Sequence, residues 1–371
     1  MNNGSTPIIE QHVEQRDAFM ERVLQSASGL FNIFSIYIGD RLGYYQALAS
    51  EEWMTSTELA ARTQTHERYA REWLEQQTVA AILEVQDETQ DALSRRYRLP
   101  PGHREVLAEP ESLNYLAPLA QISVGAVYPI RALLDAYRTG GGIPFGDYGA
   151  DLREGQAGMN RNLFLYELGQ QHLPAISDVH ARLRADPPAR IADIGCGVGW
   201  SSIGMALAYP NVRVDGFDLD APSIEEAWGN ARKYGLTDRL TFHARDAGDL
   251  EVLNGRYDLV TAFECVHDLG NPVGVLRTMR RLAGEQGAVI VMDERVGDEF
   301  TARGNEVEWM MYGWSILHCL PVGMAEHQPS AATGTVMRTE TLRRYALEAG
   351  FREVEVLPID NFFFRFYRLY R

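Results

Sequence analysis

Residues 189–220 read ARIADIGCGVGWSSIGMALAYPNVRVDGFDLD. An apolar run, a glycine turn, a helical stretch and a second apolar run ending in acids follow one another, the order of a β-α-β unit. Such a unit suits a nucleoside-bearing ligand: glycines let the backbone approach it, a helix N-terminus follows, and a later carboxylate accepts from ribose hydroxyls. The glycine spacing narrows the choice. A dinucleotide fingerprint needs G-x-G-x-x-G, but counting from Gly195 the sixth place holds Trp200, a bulky side chain where a third glycine would allow close helix packing. What stands there instead is Asp193 followed by Gly195, Gly197 and Gly199 at alternate positions.

The alternation continues downstream. Strands are expected near ARIADIG, VRVDGFD, LTFHA, YDLVTAF and GAVIVMD with helices between them, the pattern of a parallel doubly wound sheet. FREVEVLPI and FFFRFYRLY then give two strands with no helix between, an antiparallel closing pair. Upstream, Asp186-Pro187-Pro188 marks a boundary, since paired prolines cannot continue a helix.

An acid two residues before three alternating glycines resembles motif I of the class I S-adenosylmethionine (SAM) methyltransferases, and the closing pair is how their seven-stranded sheet ends. The resemblance implies an α/β fold with a Rossmann-like, seven-stranded doubly wound sheet, SAM as cofactor and S-adenosylhomocysteine as product. It sets Asp193, Gly195, Gly197 and Gly199 against the methionine part, Asp218 on the ribose and Leu219 beside the adenine edge. After the third strand, Arg245-Asp246-Ala247-Gly248-Asp249 looks like the short acidic motif that meets the adenine amino group, with Asp246 and Ala247 expected there and Asp249 in reserve. Phe263 and Glu264, ending the fourth strand, would approach the sulfonium and amino groups. Taken singly such acids are ordinary turn residues; three after successive strands favour a cofactor site.

Methyl transfer from a sulfonium asks the protein for positioning and, for a hydroxyl acceptor, a base. The stretch FECVHDLGNP resembles the V/I-L-H-D-W motif of small-molecule O-methyltransferases that carry an N-terminal winged-helix dimerisation domain. The resemblance puts His267 in the base position with Asp268 after it, and Asp293, with Glu294 next to it, as the acid that orients the ring. In that family a second supporting glutamate precedes an Arg-Thr pair; here Met337 precedes Arg338-Thr339. A capping or core histidine is the alternative account of His267, and its place in the motif favours the catalytic one. Asp268, Asp293 and Glu294 also suggest a rival, a metal-dependent catechol-type enzyme with these acids on Mg²⁺, although that family generally lacks the winged helix and has Asp-Asn at this strand end.

Residues from about 18 to 49 carry helical spacing, with Phe31, Phe34, Ile38, Leu42 and Tyr45 on one stripe. Thr55-Ser-Thr-Glu58 is a capping signal before a short helix, and Thr65-His-Glu-Arg68 opens another. Two short strands follow, around Ile82 to Val85 and Tyr97 to Leu99, so a winged helix-turn-helix is expected. Its second helix alternates signs (Glu67, Arg68, Arg71, Glu72, Glu75), which suits a solvated face better than one reading bases. The expected organisation is residues 1–110 as N-terminal helices and a dimerising winged helix, 111–187 as a helical connector capping the site, and 188–371 as the SAM-binding domain. Acceptor-pocket residues are expected from the loop with Phe145, Tyr148 and Asn160 and from the insertion carrying Met311, Trp314 and His318, which would favour an aromatic or flat apolar acceptor. A stripe of that composition is as often plain core.

The 371 residues carry a formal net charge of −16 and are 45% hydrophobic, with one lysine, Lys233. That charge argues against a nucleic-acid partner, which needs a local excess of Lys and Arg. Cys196, Cys265 and Cys319 are odd in number and widely spaced, so neither a disulfide framework nor a zinc knuckle is suggested, and no bound metal is expected. With no leader-like N-terminus and no membrane-length apolar run, a cytoplasmic homodimer acting on a small molecule is expected. Alternatives from other classes are a SAM- or ligand-sensing winged-helix regulator with vestigial catalysis and an N-methyltransferase.

Overall fold

The computed structural model describes residues 6–50, 52–246 and 256–371. The chain divides into two compact units, 1–124 and 125–371. The division falls inside the 111–187 stretch, so the helices from residue 125 onward pack with the sheet.

In the first unit a 36-residue helix, Thr6–Arg41, is followed after Gly43 by a short helix, Tyr44–Leu48. The Thr55 signal forms a full capping box: Thr55 Oγ1 accepts from the Glu58 amide at 3.2 Å, and the Thr55 amide donates to Glu58 Oε2 at 2.8 Å. Two N-terminal donors of helix Ser56–Thr63 are thereby satisfied. The next helix, Glu67–Val79, is capped not by Thr65 but by His66, whose Nδ1 accepts from the Arg68 amide. The wing is a two-residue antiparallel ladder, β1 (Glu84–Val85) on β2 (Tyr97–Arg98), shorter than its apolar flanks suggested. Tyr45, Leu48, Leu59, Leu74, Tyr97 and Leu99 fill the small core beneath it.

The second unit holds seven strands: β3 (Arg190–Ile194), β4 (Arg213–Asp218), β5 (Leu240–Ala244), β6 (Leu259–Phe263), β7 (Ala288–Glu294), β8 (Glu353–Val356) and β9 (Phe364–Tyr370). They lie in the order β5-β4-β3-β6-β7-β9-β8, parallel except that β9 runs against both neighbours. Helices on both faces explain why the central strands are apolar without alternation. Ile191 packs in the core on one face, while Ala192 and Ile194 pack on the other. Strand order reverses between β3 and β6, and it is outside the C-terminal ends flanking such a switch that open α/β sheets bind ligands.

Candidate active site

The glycine turn leaves β3 at Ile194 and enters helix Trp200–Ala208. Gly195 sits at φ 66°, and a Cβ there would come within 2.7 Å of Cys265 Sγ, so both conformation and space demand glycine. Gly197, at φ 51°, has no atom within 4 Å of its Cβ position, and it lines a cavity of about 200 Å³. That cavity runs over the ends of β3, β4, β5 and β6.

Asp218 closes β4 on the cavity wall. Its Oδ2 accepts from the Gly197 amide at 2.8 Å and its Oδ1 from the Asp220 amide at 2.9 Å, which ties the turn to the neighbouring strand end. Burial raises its carboxyl, and these amides pull the other way. Leu219, Asp246, Phe263 and Glu264 also line the cavity, whereas Ala247 and Asp249 lie outside the described residues.

Asp193 and Gly199 are not on the wall. Asp193, 1% exposed, lies under the turn and accepts from Ser201 Oγ (2.6 Å), Ser202 Oγ (2.7 Å) and Thr261 Oγ1 (2.9 Å). Its place is therefore a clamp between β3, β6 and the helix rather than a hand on the ligand. Gly199 is packed against Phe242.

At the other end of the cavity the chain after β6 turns through Glu264, at φ 52°, into a single 3-10 turn, Val266–Asp268. The Asn160 side chain donates to Glu264 Oε2. Burial raises the Glu264 carboxyl to about 8, with Asp293 adding to the rise and His267 opposing it. His267 is 3% exposed and does not line the cavity, whereas its neighbour Asp268 does. Its Nδ1 lies 2.6 Å from Asp293 Oδ1 and 2.9 Å from Glu294 Oε2, and its Nε2 lies 3.1 Å from Asp268 Oδ1. Burial disfavours a charged ring, but the facing carboxylates, Asp293 foremost, outweigh it and hold the imidazole well above its ordinary range. Asp293 is buried too and Asp268 partly buried, yet the charge of His267 keeps both below the usual carboxylate range.

The acids named for a metal site are parted by this ring, Asp268 on one nitrogen and Asp293 with Glu294 on the other. Among the described residues, each group close enough to share an ion includes His267 itself.

Residues 186–331 match the family described as "Methyltransferase domain", and residues 32–109 match the "Rv2258c-like winged HTH domain". The chain thus carries a methyltransferase domain behind an N-terminal winged helix-turn-helix domain. The family's cofactor is SAM, and the described residues fit it: an open glycine backbone faces the cavity, an acid closes β4, and further acids close β5 and β6. Norajmaline N-methyltransferase of Rauvolfia serpentina is 30% identical over 115 residues, 30% of this chain and 39% of that one. The 27-O-demethylrifamycin SV methyltransferase of Amycolatopsis mediterranei is 33% identical over 104 residues, 28% of this chain and 38% of that one. The chain thus spans under two fifths of these relatives' length.

Solved structures are matched over almost the whole chain. Mitomycin 7-O-methyltransferase superposes with a TM-score of 0.70 at 20% identity, covering 97% of this chain and 99% of that one. Human N-acetylserotonin methyltransferase, solved with SAM, gives 0.71 at 15% identity, covering 95% and 97%. At such identities the likeness speaks for the fold.

The expected acceptor residues separate into wall and core. Phe145 and Asn160 line the cavity. Tyr148 and His318 lie behind it, Tyr148 donating to the Leu317 carbonyl at 2.8 Å and meeting the His318 ring edge-on at 4.8 Å. Burial keeps His318 below its ordinary value. Met311 and Trp314 are not on the wall; they pack with Val296 and Val307, because the helical stripe that carries them faces the protein. Arg153, Gln156, Ala157 and Phe164 line the cavity beside Asn160 and were missed, although their spacing of three and four residues marks one helix face. Glu326 on the wall, raised to about 7 chiefly by burial, was missed as well.

Proposed function

We propose that the protein transfers the methyl group of SAM to a hydroxyl of a small, flat, largely apolar acceptor, with His267 as general base oriented by Asp293. The carrying observation is the 2.6 Å contact between His267 Nδ1 and Asp293 Oδ1, which fixes the tautomer and leaves Nε2 to Asp268, a residue of the cavity wall. Bound SAM supplies an electrophilic methyl on a sulfonium. Gly195, Gly197, Asp218, Leu219, Asp246, Phe263 and Glu264 would hold it, with Ala247 in the same motif. Phe145, Phe164 and Phe217 along the cavity favour an aromatic acceptor. The acceptor's proton reaches Nε2 past Asp268, which either relays it or swings aside. Because the acids keep the ring protonated, the neutral base is scarce at neutral pH, and turnover rises toward alkaline pH.

A nitrogen acceptor is the second reading. The norajmaline and ajmaline enzymes among the relatives are N-methyltransferases, and an amine needs position more than a base. The winged helix is read as a dimerisation element in the cytoplasm rather than a DNA reader. Arg68 and Arg71 are paired with Glu72 and Glu67 of their own helix. Phe19, Leu24 and Phe31 of helix Thr6–Arg41 are each 63% exposed, an apolar surface that a second copy would cover.

The test is transfer of a labelled methyl group from SAM to a panel of phenols and amines by the full-length protein. With the acceptor found, His267→Ala lowers turnover roughly 10²-fold or more while cofactor affinity holds. An unchanged turnover, or transfer to amines alone, refutes the oxygen reading.

A further inference from the structure

Two carboxylates converge on one ring nitrogen, and one N–H cannot serve two ionised acids. Asp293 Oδ1 is the nearer partner of His267 Nδ1, and it also accepts from the Glu294 amide at 3.1 Å. Glu294 Oε2, 2.9 Å from the same nitrogen, has no aligned donor of its own among the described residues. The side chain is 5% exposed. Among the described residues no arginine pairs with it: Arg295 turns to Asp360, Arg338 to Glu308, and Arg365, opposite Asp293 in the β7–β9 ladder, to Thr339 and Asp298. An ionised carboxylate buried beside another, with one shared proton donor, is a costly arrangement; a protonated one that donates to its neighbour is not.

We infer that Glu294 is a neutral carboxylic acid and a positioning residue, donating its own proton to Asp293 and holding that carboxylate against His267. Adjacent residues of a strand ordinarily face opposite ways, and these two meet because Glu294 is the last residue of β7. Among the described residues, Oδ2 of Asp293 and Oε2 of Glu294 are both buried without a donor, and burial, with Asp293 adding to it, pushes Glu294 well above the carboxylate range while His267 opposes. Asp268 and Cys319 act on the ring as well, and Tyr367 lies near Asp293. The inference also accounts for Met337. At the position where the resemblance expects a supporting glutamate, Met337 is 1% exposed in an apolar layer with Leu342 and Tyr345, and the second acid comes from β7 instead.

The inference rests on His267 being the base of this site, and its test reads the ring rather than turnover, so the two fail separately. Full-length protein labelled with ¹³C,¹⁵N-histidine is titrated by NMR, with His267 assigned by its loss in His267→Asn. Glutamine mimics a neutral acid, so Glu294→Gln should leave the ring's tautomer and titration midpoint as in the wild type. Asp293→Asn should lower the midpoint by roughly one pH unit or more, as loss of a facing charge does. In Glu294→Ala the low-field Nδ1 proton signal should weaken or vanish. A midpoint in Glu294→Gln that falls as far as in Asp293→Asn makes Glu294 an ionised partner and overturns the inference. A folded Glu294→Ala whose Nδ1 signal and midpoint are untouched makes it a bystander and overturns it equally. Should the alanine variant not fold, the glutamine result decides alone.

Discussion

On the β4 side of the cavity Asp218 has each oxygen taken by a backbone amide from its own neighbourhood, whereas on the β6–β7 side Asp268, Asp293 and Glu294 crowd a single imidazole. Oδ2 of Asp293, Oε2 of Glu294 and Oδ1 of Asp268 are buried there without an aligned donor. The difference teaches what each end is for. Backbone amides are fixed by the turn and cannot respond to a ligand, so the first end is a preformed cradle. An imidazole among acids is a balance of protons that one added or removed charge can tip, which is what a proton-handling end requires.

The sharpest way to break this contrast is Asp293→Asn. An amide in place of the carboxylate removes the charge that supports the imidazolium and permits the wrong tautomer, so kcat should fall by about 10³-fold with the identified acceptor. Cofactor affinity, measured by calorimetry, should stay within a factor of two or three. Equal losses in both would mean that the two ends are one structural unit. Next in size is Asp193→Ala, which belongs to neither end. It strands the hydroxyls of Ser201 and Ser202 in a buried place, Thr261 keeping the Ala192 carbonyl, and should cost about 3 kcal/mol in denaturant unfolding. A loss of cofactor affinity without a loss of stability would return Asp193 to the ligand. Asp218→Ala follows, weakening cofactor binding roughly 30-fold, the worth of hydrogen bonds to a charged group, with kcat changed far less.

The same contrast decides what was legible in the sequence. The glycine turn, Asp218 and the closing antiparallel pair could be read because each is set by residues close along the chain: a positive φ, a strand end, a two-strand return. His267 and Asp293, 26 residues apart, could be paired only through the resemblance. That Asp268 rather than His267 lines the cavity, and that Glu294 reaches the ring from the end of β7, depends on how two strand ends converge in space. Periodicity carries no information on that convergence. It also misled at Met311 and Trp314, where an apolar helical stripe looked like a pocket and proved to be core, while the polar stripe Arg153, Gln156 and Asn160 was the one on the wall. Apolar spacing tells which face is buried, not whether it is buried by protein or by a ligand.

The smallest effect expected lies at Glu264, the carboxyl shared by both ends. With its folded value near 8 and an unfolded value near 4.3, Glu264 favours the protonated folded state. Its contribution to stability is therefore complete below about pH 4 and is lost as pH rises toward 8. A cofactor that is cationic at its sulfonium and amino groups prefers the carboxylate, so binding and ionisation reinforce each other. The dissociation constant for SAM should accordingly fall several-fold, but less than tenfold, between pH 6.5 and 8.5. In Glu264→Gln that slope should flatten, because the amide cannot ionise and the Asn160 contact alone persists. A slope unchanged in the glutamine variant would assign the titration to Asp268 and His267, and would move the boundary between cradle and proton-handling end to the near side of Glu264.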